Sequence, residues 1–206
     1  PIGDTLFVGT EKGLCIYDVK NKGVTNYFAE IDSLILPHNH IYYISKPVNN
    51  RITICTKGGT TVYDLKTKMF YIQRINNYTP DYEVRSVEYM ECVDSWLIAT
   101  SNGLLIYQEE NQSLRHFYSV KDIEETLPDN NLRCIYKIDD DEVFIGTSDG
   151  LCVLNVKNKI FRRIDLATLT NHQSPRLDIS KIISFNDDEI MLSTYTDGLY
   201  IYNSKN

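Results

Sequence analysis

Apolar and polar residues alternate along this chain in runs of four to seven, separated by short clusters of Gly, Asn and Asp. Such period-2 runs between turn formers are the pattern of half-buried strands joined by hairpins. The stretch from Leu127 is representative. It reads LPDNN, then LRCIYKI, a polar DDDE turn at 139–142, VFIGT, a T-x-x-G turn, LCVLNV, an Asn/Lys turn and IFRRI. That is four short strands in a row. No segment has a helical period, and VKDIEET at Val120–Thr126 predicts at most a turn within a linking loop.

The pattern repeats. One phrase occurs five times: GTEKGLCIYD from Gly9, TKGGTTVYD from Thr56, TSNGLLIYQ from Thr100, GTSDGLCVLN from Gly146 and TYTDGLYIYN from Thr194. Its glycines, Gly13, Gly59, Gly103, Gly150 and Gly198, stand at intervals of 46, 44, 47 and 48. Between the copies lies a second phrase, LPHNHIYYI from Leu36, PDYEVRSVEY from Pro80, LPDNNLRCIYKI from Leu127 and SPRLDISKII from Ser174, with a Pro in each. An aromatic ends each unit: Phe28, Phe70, Phe117 and Phe161. A period of 40–50 residues carrying four antiparallel strands predicts one blade of a β-propeller. The Gly before the apolar triplet is expected to supply the positive φ of a tight hairpin. Pro is expected at the start of the first strand, where a missing N–H does least harm.

The predicted fold class is therefore all-β, a β-propeller of four-stranded antiparallel blades. The units run over 1–30 (partial), 31–75, 76–119, 120–166 and 167–206 (partial). At about 46 residues each, 206 residues make about 4.5 blades. The first unit begins at its second strand and the last ends after its third, so the two ends supply overlapping strands. The expectation is a part of a larger ring of six to eight blades, or a chain completed by a second copy.

Composition narrows the function. There are 21 basic and 28 acidic side chains, a net charge of −7 and no basic cluster, which argues against a phosphate-backbone binder. No apolar run reaches the ~18 residues of a membrane span, so no membrane contact is expected from this segment. The five cysteines, Cys15, Cys55, Cys92, Cys134 and Cys152, form no CxxC pair. All but Cys92 sit within apolar runs and are expected to be small buried hydrophobes.

The phrase F-I-G-T-S-D-G-L at Phe144–Leu151, with Phe7-Val8-Gly9-Thr10 through Gly13-Leu14 and Tyr17-Asp18, and the element L-P-D-N-N-L at Leu127–Leu132, resemble the two-component regulator propeller repeat. The usual Trp of its second strand is matched once, by Trp96, with Phe7 and Phe144 in two other units. The resemblance implies the periplasmic, extracytoplasmic sensor of an inner-membrane hybrid two-component histidine kinase and response regulator. It further implies an oligosaccharide ligand, signalling through kinase parts absent from this chain, and a homodimer in the full-length receptor. A protein-interaction scaffold of the WD-repeat kind is the alternative, and a propeller lyase or glycosidase a further one.

No catalytic residue, metal or cofactor is expected. His38-Asn39-His40 offers two imidazoles without a third ligand at a suggestive spacing. The acidic runs Asp139–Glu142 and Asn186–Glu189 fall in the turn between first and second strands, where solvated carboxylates are expected rather than a glycosidase pair. No nucleophile elbow, Walker loop or H-E-x-x-H occurs. Binding is expected instead on the blade-to-blade crossings and second-to-third strand turns, since long loops on rigid strands concentrate function. These segments offer Asn39, His40, Tyr78, Tyr82, Asn130, Asn131, Arg133, Arg176, Tyr195 and Asp197 as candidate ligand contacts. Aromatic platforms beside Asn, Asp and Arg suit sugars, whose apolar faces stack while their hydroxyls take paired hydrogen bonds.

Overall fold

The computed structural model describes residues 1–30, 35–72, 83–166 and 177–203. The chain divides into two compact units, Pro1–Val87 and Glu88–Asn206. The first contains a sheet of β1 (Thr5–Thr10), β2 (Gly13–Asp18) and β3 (Gly23–Tyr27), then one of β4 (Ile41–Ile44), β5 (Arg51–Thr56), β6 (Gly59–Asp64) and β7 (Phe70–Ile72). Strand β8 (Val84–Met90) crosses the boundary and opens a third sheet with β9 (Ser95–Thr100), β10 (Gly103–Gln108) and β11 (Ser113–Phe117). The second unit continues with β12 (Leu132–Lys137), β13 (Glu142–Thr147), β14 (Gly150–Asn155) and β15 (Ile160–Ile164), then β16 (Ile179–Ser184), β17 (Glu189–Thr194) and β18 (Leu199–Asn203). Strands follow one another in sequence order within every sheet, as blades require. Among the described residues the one helical element is the 3-10 turn η1 (Glu91–Val93). Val120–Thr126 forms turns without a helix.

A single device closes the second-to-third strand hairpin in every sheet. The Thr of T-x-x-G accepts a bond at its Oγ1 from a main-chain N–H in the turn and donates to the carbonyl of the Gly. Thr147 donates to Gly150 O at 3.0 Å and accepts from Asp149 N at 3.1 Å. Thr10, Thr56 and Thr100 do the same. Thr194 keeps both bonds across a turn longer by one residue. The Gly has φ between 86° and 124° in all five copies. It is not one of the two loop residues, however. In the first four copies it heads the next strand and pairs directly with the Thr that ends the preceding one. At Gly103 a Cβ would stand 2.4 Å from Phe117 O, and the Gly103 N–H donates to Asn130 O of the next crossing at 2.6 Å. Gly150 N–H likewise donates to Leu177 O at 2.9 Å. The glycine thus serves as a clasp between neighbouring sheets as well as a turn former.

Packing between sheets depends on the residue before that Thr, which is always small: Gly9, Cys55, Ala99, Gly146 or Ser193. The first strand of the following sheet packs against the strand that carries Gly9, Ala99 or Gly146. A Cβ on Gly146 would meet Ile179 Cγ2 at 2.7 Å and Cys134 Sγ at 2.8 Å, and one on Gly9 would meet Ile41 Cγ2 at 2.5 Å. The first unit is cored by Leu14, Leu36, Ile41, Ile52, Ile54 and Tyr63. The second has two layers, one around Leu97, Leu104, Ile145 and Leu154, the other around Phe144, Val153, Ile182 and Leu192. Cys55, Cys134 and Cys152 are buried as expected, whereas Cys15 is half-buried. Burial pushes the Cys134 and Cys152 thiols up to about 12, which leaves them unreactive.

Two sequence landmarks shift on inspection of register. Phe70 and Phe161 open the fourth strand, paired with Tyr63 and Leu154. Phe117 instead closes it, opposite Leu104, and in the first sheet the matching residue is Tyr27, with Phe28 outside the strand. The closing aromatic is therefore two positions, and the two kinds stack: Tyr27 on Phe70 at 4.8 Å, Phe117 on Phe161 at 5.6 Å. Trp96 is one residue out of step with Phe7 and Phe144, whose place is taken by the buried Leu97. A one-residue step changes the face of a strand. Trp96 accordingly packs on Tyr89 (centroids 5.2 Å apart) and does not replace those phenylalanines.

Thr147 is fully buried and Thr194 is not. Thr147→Val strands a carbonyl and an N–H and is expected to cost about 1–3 kcal/mol. At this chain length that lowers Tm by about 2–4 °C per kcal/mol. Thr194→Val, where water can substitute, is expected to move Tm by less than half as much in the same calorimetric scan.

Candidate functional site

The candidate site is built on the first strands, β4, β8, β12 and β16. In β4, β12 and β16 the register slips at the second residue, between Ile41 and Tyr43, Leu132 and Cys134, and Ile179 and Lys181. A bulge leaves one residue without a cross-strand partner and re-aims its side chain. Those residues are Tyr42, Arg133 and Ser180. The hairpin of the same sheet is tied to the residue just before the bulged strand. Lys57 N donates to His40 O, Ser148 N to Asn131 O and Tyr195 N to Asp178 O, each at 3.0 Å. Crossings, bulges and T-x-x-G hairpins thus meet at one end of these three sheets.

In the second unit this end carries a polar cluster. Arg133 Nε and Nη2 donate to Asp178 Oδ1 and Oδ2 at 2.8 and 2.7 Å, a two-pronged pair. The Arg133 guanidinium also lies 4.7 Å from the centre of the Tyr195 ring. Burial works against the Arg133 charge, but the Asp178 bonds outweigh it and raise the pKa. Tyr195 itself is 64% exposed and so presents ring surface to solvent. Beside it, Asp129 Oδ1 accepts from Asn131 N at 2.7 Å and from Ser148 Oγ at 2.6 Å. A fixed guanidinium–carboxylate pair and a supported, exposed ring form a surface that can stack a ligand and hydrogen-bond its edge.

The first unit repeats the arrangement with other residues. Glu83 Oε2 accepts from Arg85 Nη2 at 2.7 Å, Arg85 Nε at 3.2 Å and the Tyr42 hydroxyl at 2.9 Å. Lys57 Nζ is 3.9 Å from Glu83 Oε1, and His40 stacks on Tyr42 with centroids 4.4 Å apart. Burial works against the Glu83 charge. The bonds from Arg85 and Tyr42 and the Arg85 and Lys57 charges outweigh it and hold the carboxyl below its ordinary 4.5.

Of the sequence candidates, Asn131, Arg133 and Tyr195 come together in the second unit, and His40 joins the first-unit cluster. Asp197 sits on the Tyr195 hairpin, accepting from Thr196 Oγ1 at 2.7 Å. Asn39 and Asn130 serve their own loops: each Oδ1 accepts a main-chain N–H at 2.7 Å, from Ala29 and Ser119, closing the crossing. Tyr78, Tyr82 and Arg176 lie outside the described residues. Sequence reading missed Tyr42, Glu83, Arg85, Asp129 and Asp178. The signal was present in H-I-Y, E-V-R, N-L-R and D-I-S, a polar residue on either side of the first apolar position of each first strand.

The acidic runs act as turn formers. Asp139 Oδ1 accepts from Asp141 N and Glu142 N, both at 2.8 Å, and Asn186 Oδ1 accepts from Asp188 N and Glu189 N. His38 Nδ1 accepts from His40 N at 2.9 Å. Among the described residues no three His, Cys, Asp or Glu side chains gather as a metal site.

A carboxyl whose folded pKa is depressed stabilises the fold above its ordinary value, and the benefit is lost as pH falls through the folded value. Glu83 is therefore expected to contribute to an acid-side loss of stability below about pH 4.5. In urea titrations across pH 3–7, Glu83→Gln should be less stable than the parent at neutral pH, with the gap closing below that point. A gap independent of pH would contradict the assignment.

No protein-family model matches the chain, and no curated protein matches it either. Solved structures do. The extracellular domain assigned to the hybrid two component system BT3049 from B. thetaiotaomicron superposes with a TM-score of 0.78 at 24% identity, over 100% of this chain and 26% of that one. The corresponding domain assigned to the hybrid two component system BT4673 from the same organism gives 0.74 at 23%, over 98% and 26%. An ancestral GH74 enzyme gives 0.68 at 11%, over 98% and 28%. The chain thus spans about a quarter of the length of each of these structures. At these identities the likeness establishes the fold: the five sheets are blades of a β-propeller.

Proposed function

We propose that this chain is a ligand-binding part of the extracytoplasmic sensor propeller of a hybrid two-component regulator, that its ligand is an oligosaccharide, and that kinase parts outside the chain carry the signal. The observation that carries the reading is the Tyr195 ring held exposed on the Arg133–Asp178 pair, at the end of the blades where crossings and hairpins meet. The repeat phrases and the similarity to extracellular domains of two-component systems support the sensor class. Among the described residues no helix is long and apolar enough to cross a membrane.

The reading extends to what covers the outermost sheets. Leu6 and Val8 on β1, and Ile183, Leu199 and Ile201 on the last sheet, are 37–64% exposed. In the sheet β8–β11 both faces of β9 are buried instead. Further blades of the same propeller are the proposed cover, because they would meet these faces with the same small-and-apolar pattern.

Titration calorimetry of the protein carrying this chain against an oligosaccharide panel is expected to find saturable binding that Tyr195→Ala weakens at least tenfold. Absence of binding, with a receptor that still responds to its natural stimulus, would overturn the ligand assignment. Turnover of a glycan would favour the enzyme reading that the GH74 likeness keeps in view. A separate measurement addresses the cover. In the same protein Leu199→Glu should cost more than about 2 kcal/mol if a blade buries that face. A cost below about 0.5 kcal/mol would mean the face is open to water.

A further inference from the structure

A cavity of about 260 Å³ opens in the second unit, away from the Arg133 cluster. Its lining combines the apolar Val93, Ile106 and Val156 with Ser95, Gln108, Asn111 and Ser113 and the cations Arg115 and Lys159. No carboxylate lines it. In a chain of net charge −7 that is a notable composition for a concave surface. Neither Arg115 nor Lys159 has an ion-pair partner among the described residues.

The repeat supplies the contrast. At the outer end of the second and third strands the paired residues are Thr5 and Asp18, Arg51 and Asp64, Glu142 and Asn155, and Glu189 and Asn203 in four of the sheets. Each pair holds one carboxylate. Asp64 uses its own to cap the following turn, accepting from Lys66 N and Thr67 N at 2.9 Å, with Arg51 Nε 3.7 Å away. In the sheet β8–β11 the same two positions, one step beyond the Trp96–Tyr107 pair, are Ser95 and Gln108. In this sheet neutral groups stand in place of the carboxylate, and they line a cavity with two unpaired cations. Asn111 Nδ2 donates to Gln108 Oε1 at 2.9 Å, which assigns the other half of the Gln108 amide as an N–H donor.

We propose that this cavity binds a small monocarboxylate with an apolar body, its charge taking the place of the missing protein carboxylate between Arg115, Lys159 and the Gln108 amide, and its body resting on Val93, Ile106 and Val156. The volume suits a molecule of one ring rather than a chain, since pockets for drug-sized ligands begin near 300 Å³. Arg gives a planar fork suited to a carboxylate, and Lys a mobile point charge. Glu109 and Glu110 follow on the same hairpin outside the lining, so low salt should tighten the site only modestly.

The test uses benzoate as probe and benzamide as its neutral isostere, followed by methyl resonances of Val93, Ile106 and Val156. Benzoate is expected to shift them saturably at millimolar concentration, and benzamide to bind at least tenfold more weakly. The double variant Arg115→Gln/Lys159→Gln should erase that difference at unchanged Tm, and Gln108→Asp, which restores the repeat's carboxylate, should weaken benzoate at least tenfold. Arg133→Gln should leave benzoate binding intact, which separates this site from the proposed sensor site. Equal binding of benzoate and benzamide, or benzoate binding that survives the double variant, would overturn the proposal.

Discussion

Every sheet in this chain is apolar on both faces, and that constraint governs the rest. A four-stranded sheet with two apolar faces cannot be stable alone, because burying one face leaves the other in water at a cost of about 25 cal/mol per Å². Stacking is the remedy, and stacking demands that each sheet present its neighbour with a surface of fixed shape. The small residue before the T-x-x-G threonine provides that shape. At Gly146 the crossing Ile179 comes so near that a single methyl would displace it. A branched side chain at Gly9 or Gly146 would collide with the crossing isoleucine, and Ala99 and Cys55 keep the same position small in their own sheets.

That close crossing also creates the site. A strand packed so tightly at its start has little freedom to place a polar side chain, and the bulges at Tyr42, Arg133 and Ser180 resolve the conflict. One extra residue leaves the ladder, turns toward the loop end and takes its polar group with it, while Ile41, Leu132 and Ile179 just before it stay in the core. The hairpin threonines then hold the loop end in place, and the Asn39 and Asn130 amides do the same for the crossings. The clusters at Glu83 and at Arg133 are thus two fillings of one geometry. In one a carboxylate collects Arg85, Tyr42 and Lys57; in the other an arginine collects Asp178 and Tyr195.

How much of this was legible in the sequence follows from what each feature depends on. Strand content, sheet order and the turn glycines depend on local alternation and on backbone angles, and these were readable. The threonine's two bonds are not legible, although the residue recurs in every copy, because a repeated Thr in a strand also fits plain β-propensity. Phe117 and Phe161 resemble one landmark since spacing from a loop of variable length cannot fix register, whereas Trp96 stands four residues before its Thr and Phe7 and Phe144 three before theirs, an offset that the sequence itself carries. The partners of Arg133 and Glu83 were out of reach for a different cause. A bulge has no signature in alternation, so the sequence could place Arg133 near a loop but not aim it at Asp178, 45 residues away.

Repetition makes departures informative. A residue that recurs in each unit has a structural task that each unit shares, as the threonines and the glycines do. Function has to be sought where the units differ at a position the fold does not require. Position two of the first strand is one such place, occupied by Tyr42, Arg85, Arg133 and Ser180. The Ser95–Gln108 positions are another, since the paired positions of the other four sheets hold one carboxylate each. A fold built from copies keeps such a departure only where something offsets it, either another protein group or a bound one, and among the residues lining that cavity the charges left over are both positive.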